Sequence, residues 1–122
     1  MATSEQIEYR MEMKERLRTF VLNLLELTTQ IPYSQETKII KDQLIRSGSS
    51  IYANYRAACR ARSKNEFYSK LCIVVEEADE TEMWLDLLIL SELSNNKQTK
   101  ALHNESLELL KIMAKARKNS NQ

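Results

Sequence analysis

Hydrophobic side chains recur at alternating steps of three and four residues along most of this chain, which is the period of an amphipathic helix. The first such stretch covers about residues 4–29. Its apolar stripe consists of Met13, Leu17, Phe20, Leu24 and Leu27. No stretch of useful length alternates between polar and apolar residues as a half-buried strand would. The pattern therefore predicts an all-α protein.

Local signals between these stretches mark the helix ends. The first helix should stop before Pro32, because the residue that precedes a proline avoids the α-helical region. Ser34 is placed to cap a second helix over residues 35–62 by accepting hydrogen bonds from its free N–H groups. Ser63 and Glu66 have the spacing of a capping box, in which each side chain satisfies a backbone donor. This box predicts that a third helix starts directly after Ser63.

The third and fourth helices are predicted over residues 64–93 and 97–117. The inner stripe of the third helix has one polar position, Thr81. Its other members are Phe67, Leu71, Val74, Ala78, Leu85 and Leu88, and the fourth helix has Leu102, Ser106, Leu109, Met113 and Ala116. Residues 118–122 are interpreted as a frayed tail. Because short connections make successive helices antiparallel, we expect residues 1–122 to form one domain, an antiparallel up-down-up-down four-helix bundle.

Composition excludes several classes of protein. A chain of 122 residues with one glycine and one proline has too few turn formers for sandwiches, barrels or doubly wound sheets, and it cannot contain a Gly-rich phosphate loop. The chain has neither an apolar run of about 18 residues nor a signal peptide, so we expect a soluble cytoplasmic protein with no membrane contact. Cys59 and Cys72 are interpreted as small buried thiols and not as a disulfide.

The net charge of +1 hides an asymmetry along the chain. Residues 34–70 contain 8 basic and 3 acidic side chains, whereas residues 71–93 contain 7 acidic and no basic ones. One interpretation is that the basic second helix lies beside the acidic third helix. The hairpin register would then bring Arg46 near Asp79 and Glu80, as a partly buried ion pair that fixes register more than it stabilises.

A second interpretation of the charges concerns one end of the bundle. In an up-down bundle the second and fourth helices run in the same direction, so their carboxyl ends meet at one end. The basic residues expected there are Arg56, Arg60, Arg62, Lys64, Lys70, Lys111, Lys115, Arg117 and Lys118. Such a surface is a candidate nucleic-acid-binding site. The alternative is that these cations favour helix carboxyl ends because of the helix dipole and improve solubility.

No catalytic, metal or cofactor site is predicted. The four carboxylates between residues 76 and 80 lack the Glu-x-x-His pairs of a di-iron bundle. His103 has no second histidine or cysteine nearby for a zinc site, and it is expected to face solvent or cap a helix. Cys59, among arginines, is expected to have a lowered pKa but has no general base. The chain is therefore predicted not to be an enzyme.

Two features predict a homo-oligomer. Small residues repeat every four positions in the second helix, where another helix could approach closely, either in the bundle or between copies. They are Ser49, Ala53, Ala57 and Ala61. Residues 83–90 are apolar nearly all round the third helix, which is more than one inward stripe requires. If Trp84, Leu87 and Ile89 are not all covered within one chain, they form an exposed patch typical of an interface.

The region from residue 42 to 67 resembles the signature of the bacterial 23S rRNA intervening-sequence protein family, and the resemblance extends over about residues 15–93. The positions that match are Gln43, Leu44, Arg46, Ser47, Ser50, Ile51, Asn54, Arg60 or Arg62, Ser63, Glu66, Phe67, Leu71 and Glu80. Many members have Ala-Glu-Gly after the asparagine. This chain has Arg56-Ala57-Ala58 there, which is similar to a subgroup pattern.

The resemblance implies an up-down bundle that assembles into a ring, with pentamers typical. Some members are encoded within insertions in 23S rRNA genes, and fold relatives are accessory proteins of retroelements that contact nucleic acid and a reverse transcriptase. The family has no established catalytic residue. Among the matching positions, Gln43, Ser47, Ser50 and Asn54 form a polar stripe that we expect to specify packing.

The sequence thus favours a non-enzymatic homo-oligomeric bundle that binds RNA or a nucleoprotein, with DNA as another nucleic acid to consider, through its basic end. The alternative is a scaffold for protein interaction, with a reverse transcriptase or another protein as partner, that does not bind nucleic acid.

Overall fold

The computed structural model describes residues 2–121, and four α-helices account for most of them. The helices are α1 (Ser4–Gln30), α2 (Gln35–Cys59), α3 (Lys64–Leu90) and α4 (Lys97–Ser120). No strand occurs within residues 2–121. The prediction of an all-α, four-helix fold is therefore confirmed. None of the helices is both long enough and apolar enough to span a membrane.

Side-chain caps set the amino ends of the helices. Ser34 caps α2 as predicted, and its oxygen accepts a hydrogen bond from the Thr37 N–H at 3.0 Å. Thr3 caps α1 in the same way. Ser63 accepts a hydrogen bond from the Glu66 N–H at 3.0 Å, but the Glu66 carboxylate lies 3.7 Å from Arg62 and does not complete a capping box. The predicted box at α3 thus has only one of its two bonds.

Two helices end earlier than the periodicity predicts. α2 ends at Cys59 and not at residue 62, because Arg60 leaves the helical conformation and its N–H bonds back to the Ala57 and Ala58 carbonyls. α3 ends at Leu90 and not at residue 93. Shortly after it, Glu92 has a φ of 62°, in the left-handed region that helices exclude.

The carboxyl end of α4 lies beyond the predicted end at residue 117. The helix continues to Ser120, so residues 118–120 form its last turn and not a frayed tail. Residue 121 follows as a turn, and residue 122, the end of the predicted tail, lies outside the described residues. Lys118 is therefore held in a helix, in the last turn, where the dipole favours a cation.

Contacts far from the connections are those expected of antiparallel neighbours. The end of α2 connects directly to the start of α3, yet Ser47, twelve residues before that end, meets Thr81 near the other end of α3, with 2.8 Å between the hydroxyl oxygens. Likewise, His103 near the start of α4 lies 2.7 Å from Glu82 near the end of α3. α1 packs against α2 and less extensively against α4, which closes the bundle.

The core lies on the predicted inner stripes. The buried residues include Met13, Leu17, Phe20, Leu24 and Leu27, and also the apolar residues of the predicted α3 stripe from Leu71 to Leu88. Thr81, the predicted polar position, is completely buried and also bonds the Glu77 carbonyl oxygen at 2.8 Å. Burial of polar groups in the core is thus matched by hydrogen bonds.

The single glycine lies where α2 packs against Leu24 of α1. A Cβ atom at Gly48 would lie 2.4 Å from Leu24 Cδ1, well inside van der Waals contact. Leu24 is only 1% exposed, so its side chain has little room to move. Glycine at this position permits the close contact with Leu24. It also destabilises the helix, since a glycine inside a helix costs about 1 kcal/mol relative to alanine.

We predict that Gly48→Ala destabilises the wild-type chain by about 1 kcal/mol, because overpacking costs about 1–3 kcal/mol and exceeds the gain in propensity. In a Leu24→Val background, which removes the Cδ1 atom, the same substitution should stabilise the protein by up to about 1 kcal/mol. Urea unfolding of the four proteins measures this double-mutant cycle. An equal effect of Gly48→Ala in both backgrounds would contradict the close contact.

Candidate nucleic-acid interface

The nine cations predicted from the sequence lie in the parts of α2, α3 and α4 that are nearest to one end of the bundle, and we call the predicted surface the basic end. It consists of Arg56, Arg60, Arg62, Lys64, Lys70, Lys111, Lys115, Arg117 and Lys118. Because α3 packs against both α2 and α4, its amino-terminal part lies between the carboxyl-terminal parts of the other two. The topology therefore brings residues from three separate segments of the chain to the same end.

Most of these side chains are accessible. Lys70 and Arg117 are half-buried, and the other seven are exposed. Arg56, Arg117 and Lys118 occupy the last turns of their helices, where the dipole favours cations. The dipole thus accounts for these three positions but not for the cations between α2 and α3 or along α4.

Acidic residues make the basic end uneven. A groove of about 670 Å³ between α1 and α2 is lined by Arg56 and Arg60, and also by three glutamates, Lys14 and Arg18 of α1. On the α4 side the acids point elsewhere, because Glu105 and Glu108 both pair with Arg16 of α1, at 2.8 and 3.3 Å. The exposed lysines of α4 have no described carboxylate partner within residues 2–121. The carboxylates Glu105 and Glu108 of α4 are therefore engaged by Arg16 and not by the lysines of their own helix.

Two arginines near this end lie over aromatic rings. The Arg56 guanidinium lies 5.6 Å from the ring centre of Tyr52, and Arg10 lies 4.9 Å from that of Phe67. Both distances are in the range of cation–π contacts. Arg10 was not among the predicted residues, since only the packing of α1 against the other helices brings it to Phe67.

The predicted ion pair of Arg46 forms with a different set of acids. Arg46 bonds Glu80, as expected, and Glu77 at 3.0 Å, whereas Asp79 is exposed and takes no part. Asp79 lies on the outer side of α3, because a step of one residue rotates a side chain by about 100° around the helix axis. Arg46 Nε also donates to the Gln43 side-chain oxygen at 2.9 Å. These bonds connect α2 to α3.

The other predicted polar residues act within α2. The Asn54 amide donates to the Ser50 carbonyl at 2.9 Å and to its hydroxyl at 3.0 Å, so this pair does not join two helices. Within the polar stripe, Ser47 is the residue that contacts another helix, through Thr81. Packing specificity from this stripe thus comes through Ser47.

The residues predicted to form an oligomer interface differ in exposure. On α2, Ala53 is exposed and Ala57 is half-buried. On α3, Leu87 is exposed, while Trp84 and Ile89 are half-buried and Trp84 donates its indole N–H to Glu80 at 3.0 Å. Exposed apolar residues of α3 instead recur at spacings of four and three positions, so they lie along one side of the helix. We call this surface the α3 stripe. It consists of Met83, Leu87 and Leu90.

The two cysteines, Cys59 and Cys72, are free and half-buried. Burial raises the pKa of the Cys59 thiol, and the nearby cations Arg10 and Lys14 oppose this only in part. The expected lowering of that pKa is therefore wrong, because the interior side of α2 desolvates the thiol more than its arginine neighbours stabilise the thiolate.

His103 is not placed as the sequence suggested. It neither faces solvent nor caps a helix: its side chain is 17% exposed, and Nε2 lies 2.7 Å from Glu82 and 3.9 Å from Asp86. Its partners are on α3 and not on its own helix. The signal that identifies them is the antiparallel register of α3 and α4, in which residues near the end of α3 meet residues near the start of α4.

Comparisons with known proteins agree with this architecture. The family model described as 23S rRNA-intervening sequence protein matches residues 10–115. A similar solved structure is that of a protein with unknown function from the S23 ribosomal protein family of Bacteroides thetaiotaomicron VPI-5482. It is 35% identical, the match covers 86% of this chain and 97% of that one, and the TM-score is 0.78. Among curated proteins, none matches this chain.

The contact between Glu80 and Trp84 generates a prediction about pH. The indole hydrogen bond, and after it the Arg46 guanidinium, hold the pKa of the Glu80 carboxyl below its ordinary value. A lowered folded-state pKa contributes stability above the unfolded-state value, about 4.3, and this contribution disappears as the pH falls through the folded-state value. Trp84 is the only tryptophan. Its fluorescence should therefore titrate with a midpoint below 4.3.

Variants identify the titrating group. Arg46→Met should move the fluorescence midpoint upward, and Glu80→Gln should remove the transition. Far-UV circular dichroism over the same range separates local titration from acid unfolding. A transition that persists unchanged in Glu80→Gln would assign it to another carboxyl group.

Proposed function

Since this chain belongs to the 23S rRNA-intervening sequence protein family, we propose that it is a non-enzymatic, homo-oligomeric four-helix bundle that binds RNA through its basic end. It would act in the cytoplasm, on RNA or on a nucleoprotein that contains it. The observation that carries this proposal is the convergence of cations from α2, α3 and α4 on one end of the bundle.

The chemistry of the basic end favours phosphate contact without base reading. Seven of its nine cations are exposed, and exposed Lys and Arg side chains neutralise backbone phosphates whatever the base sequence. Specific reading of bases requires side chains that reach base edges or stack on unpaired bases. The described cation–π contacts instead bury the faces of Tyr52 and Phe67 under arginines. Binding should accordingly depend on charge more than on nucleotide sequence.

Assembly into an oligomer would repeat the basic end once in every subunit. In a cyclic oligomer every subunit points the same way along the axis, so the basic ends of all copies lie on one face. The exposed α3 stripe and the exposed Ala53 support the proposal that copies associate, because apolar surface outside a core is typical of interfaces. The resemblance to pentameric bundles makes a five-membered ring the form we propose.

We predict that the wild-type protein binds single-stranded RNA at about 50 mM salt, where charge-driven association is strong. The triple variant Arg60→Glu, Arg62→Glu, Lys64→Glu should lose this binding. The logarithm of the wild-type association constant should fall with the logarithm of the salt concentration, by about 0.7 for each phosphate contact. Fluorescence polarisation with a labelled RNA measures both effects.

A matched control changes the same net charge at the other end of the bundle. Lys38, Lys97 and Lys100 are exposed and lie in the first turns of α2 and α4. Their replacement by Glu should leave most of the RNA affinity. If the wild type does not bind RNA, or if both triple variants lose affinity equally, the basic end is not the binding surface.

A second prediction concerns the oligomer. At micromolar concentration, light scattering should give a mass that is a multiple of 14.3 kDa. Leu87→Glu should reduce this mass to that of one chain and leave the helical circular dichroism intact, because an exposed residue tolerates a charge in the monomer. Leu22→Glu, at a 58% exposed position of α1, is the control and should leave the assembly unchanged. A wild type of 14.3 kDa would contradict the proposal.

The α3 stripe also favours a second candidate function, a scaffold that binds another protein without nucleic acid. Under this alternative the glutamates in the groove beside Arg56 and Arg60 would neutralise these arginines. The two functions differ in one result. A scaffold would assemble through Leu87 but would not show binding of RNA to either end.

A further inference from the structure

A cluster of three metal-ligating side chains lies between α3 and α4, on neither the basic end nor the α3 stripe. Glu82 and Asp86 are one helical turn apart on α3, and His103 reaches them from α4. One ligand atom from each, a carboxylate oxygen or an imidazole nitrogen, lies within 4.8 Å of the other two. All three residues are half-buried.

The spacing of these atoms fits a small divalent ion. In a tetrahedral zinc site with bonds of about 2.1 Å, neighbouring ligand atoms are about 3.4 Å apart. The described separations from His103 Nε2, 2.7 Å to Glu82 and 3.9 Å to Asp86, lie on either side of this value. Small side-chain rotations would therefore bring all three atoms to bonding distance. The partial exposure of the carboxylates leaves room for water as the fourth ligand.

The charge of the cluster also lacks a protein counterion. Arg46 neutralises the acids on the other side of α3, where it bonds Glu77 and Glu80. Within residues 2–121, neither Glu82 nor Asp86 has a described ion pair with a lysine or arginine. Two carboxylates thus face a single imidazole, which by itself does not balance their negative charge. A divalent cation would balance it.

We propose that Glu82, Asp86 and His103 form a site for a divalent transition-metal ion such as Zn²⁺. Imidazole is a ligand that Zn²⁺ and its neighbours prefer, whereas Mg²⁺ and Ca²⁺ prefer sets made of oxygen alone. Because the ligands come from two helices, the bound ion connects α3 to α4 and has a structural role. Its ligands are distinct from the residues of the proposed RNA-binding surface.

Isothermal titration of the full chain with ZnCl₂ tests the proposal. We expect one Zn²⁺ per chain, no comparable binding of Mg²⁺, and a rise in the thermal unfolding temperature with Zn²⁺ concentration, because a ligand that binds only the folded state stabilises it. His103→Gln and Asp86→Asn should each weaken the affinity by about 100-fold or more, since loss of even an outer-shell partner costs about 10–100-fold.

Asp86→Asn is the decisive variant. It retains the hydrogen bond between His103 and Glu82, so it separates a metal site from an interhelical hydrogen bond. Asp79→Asn removes an exposed carboxylate elsewhere on α3 and should leave Zn²⁺ affinity unchanged. Circular dichroism checks that all variants are folded. Absence of Zn²⁺ binding in the wild type, or equal affinity in Asp86→Asn and Asp79→Asn, would overturn the proposal.

Discussion

The short connections between helices are the constraint on which every other feature of this protein depends. Only residues 31–34, 60–63 and 91–96 separate the helices, so each helix must return along the one before it. This alternation places the carboxyl ends of α2 and α4 at the same end of the bundle, around the start of α3. It also sets the register in which a residue of one helix meets its partner on the next. The basic end and all interhelical polar contacts follow from that register.

Helix α3 presents a different set of side chains on each of three sides. Toward α2, Glu77 and Glu80 accept hydrogen bonds from Arg46, and Trp84 joins the same group through Glu80. Toward α4, Glu82 and Asp86 face His103. The outward side has the exposed α3 stripe. The acidic residues of α3 therefore do not form one negative surface. The helical period places some of them toward α2, where Arg46 binds them, and others toward α4, where His103 lies.

The proposed functions use separate parts of this arrangement. RNA would bind at the end where α2 and α4 finish, copies would associate along the outer side of α3, and a metal ion would connect α3 to α4. In a ring, the weak and uneven positive charge of one chain would be repeated around an axis, so that many modest phosphate contacts add up to a useful affinity.

Sequence by itself determined the helices, their inner stripes and the cap at Ser34, because these depend on periodicity and on hydrogen bonds between residues a few positions apart. It also predicts that the cations lie toward one end, since topology needs only the order of helices and the length of their connections. Only the tertiary structure decided that Arg46 bonds Glu77 and not Asp79, that Cys59 is desolvated, and that His103 meets two carboxylates. These pairings depend on the rotation of each helix about its axis, where a change of one residue turns a side chain by about 100°.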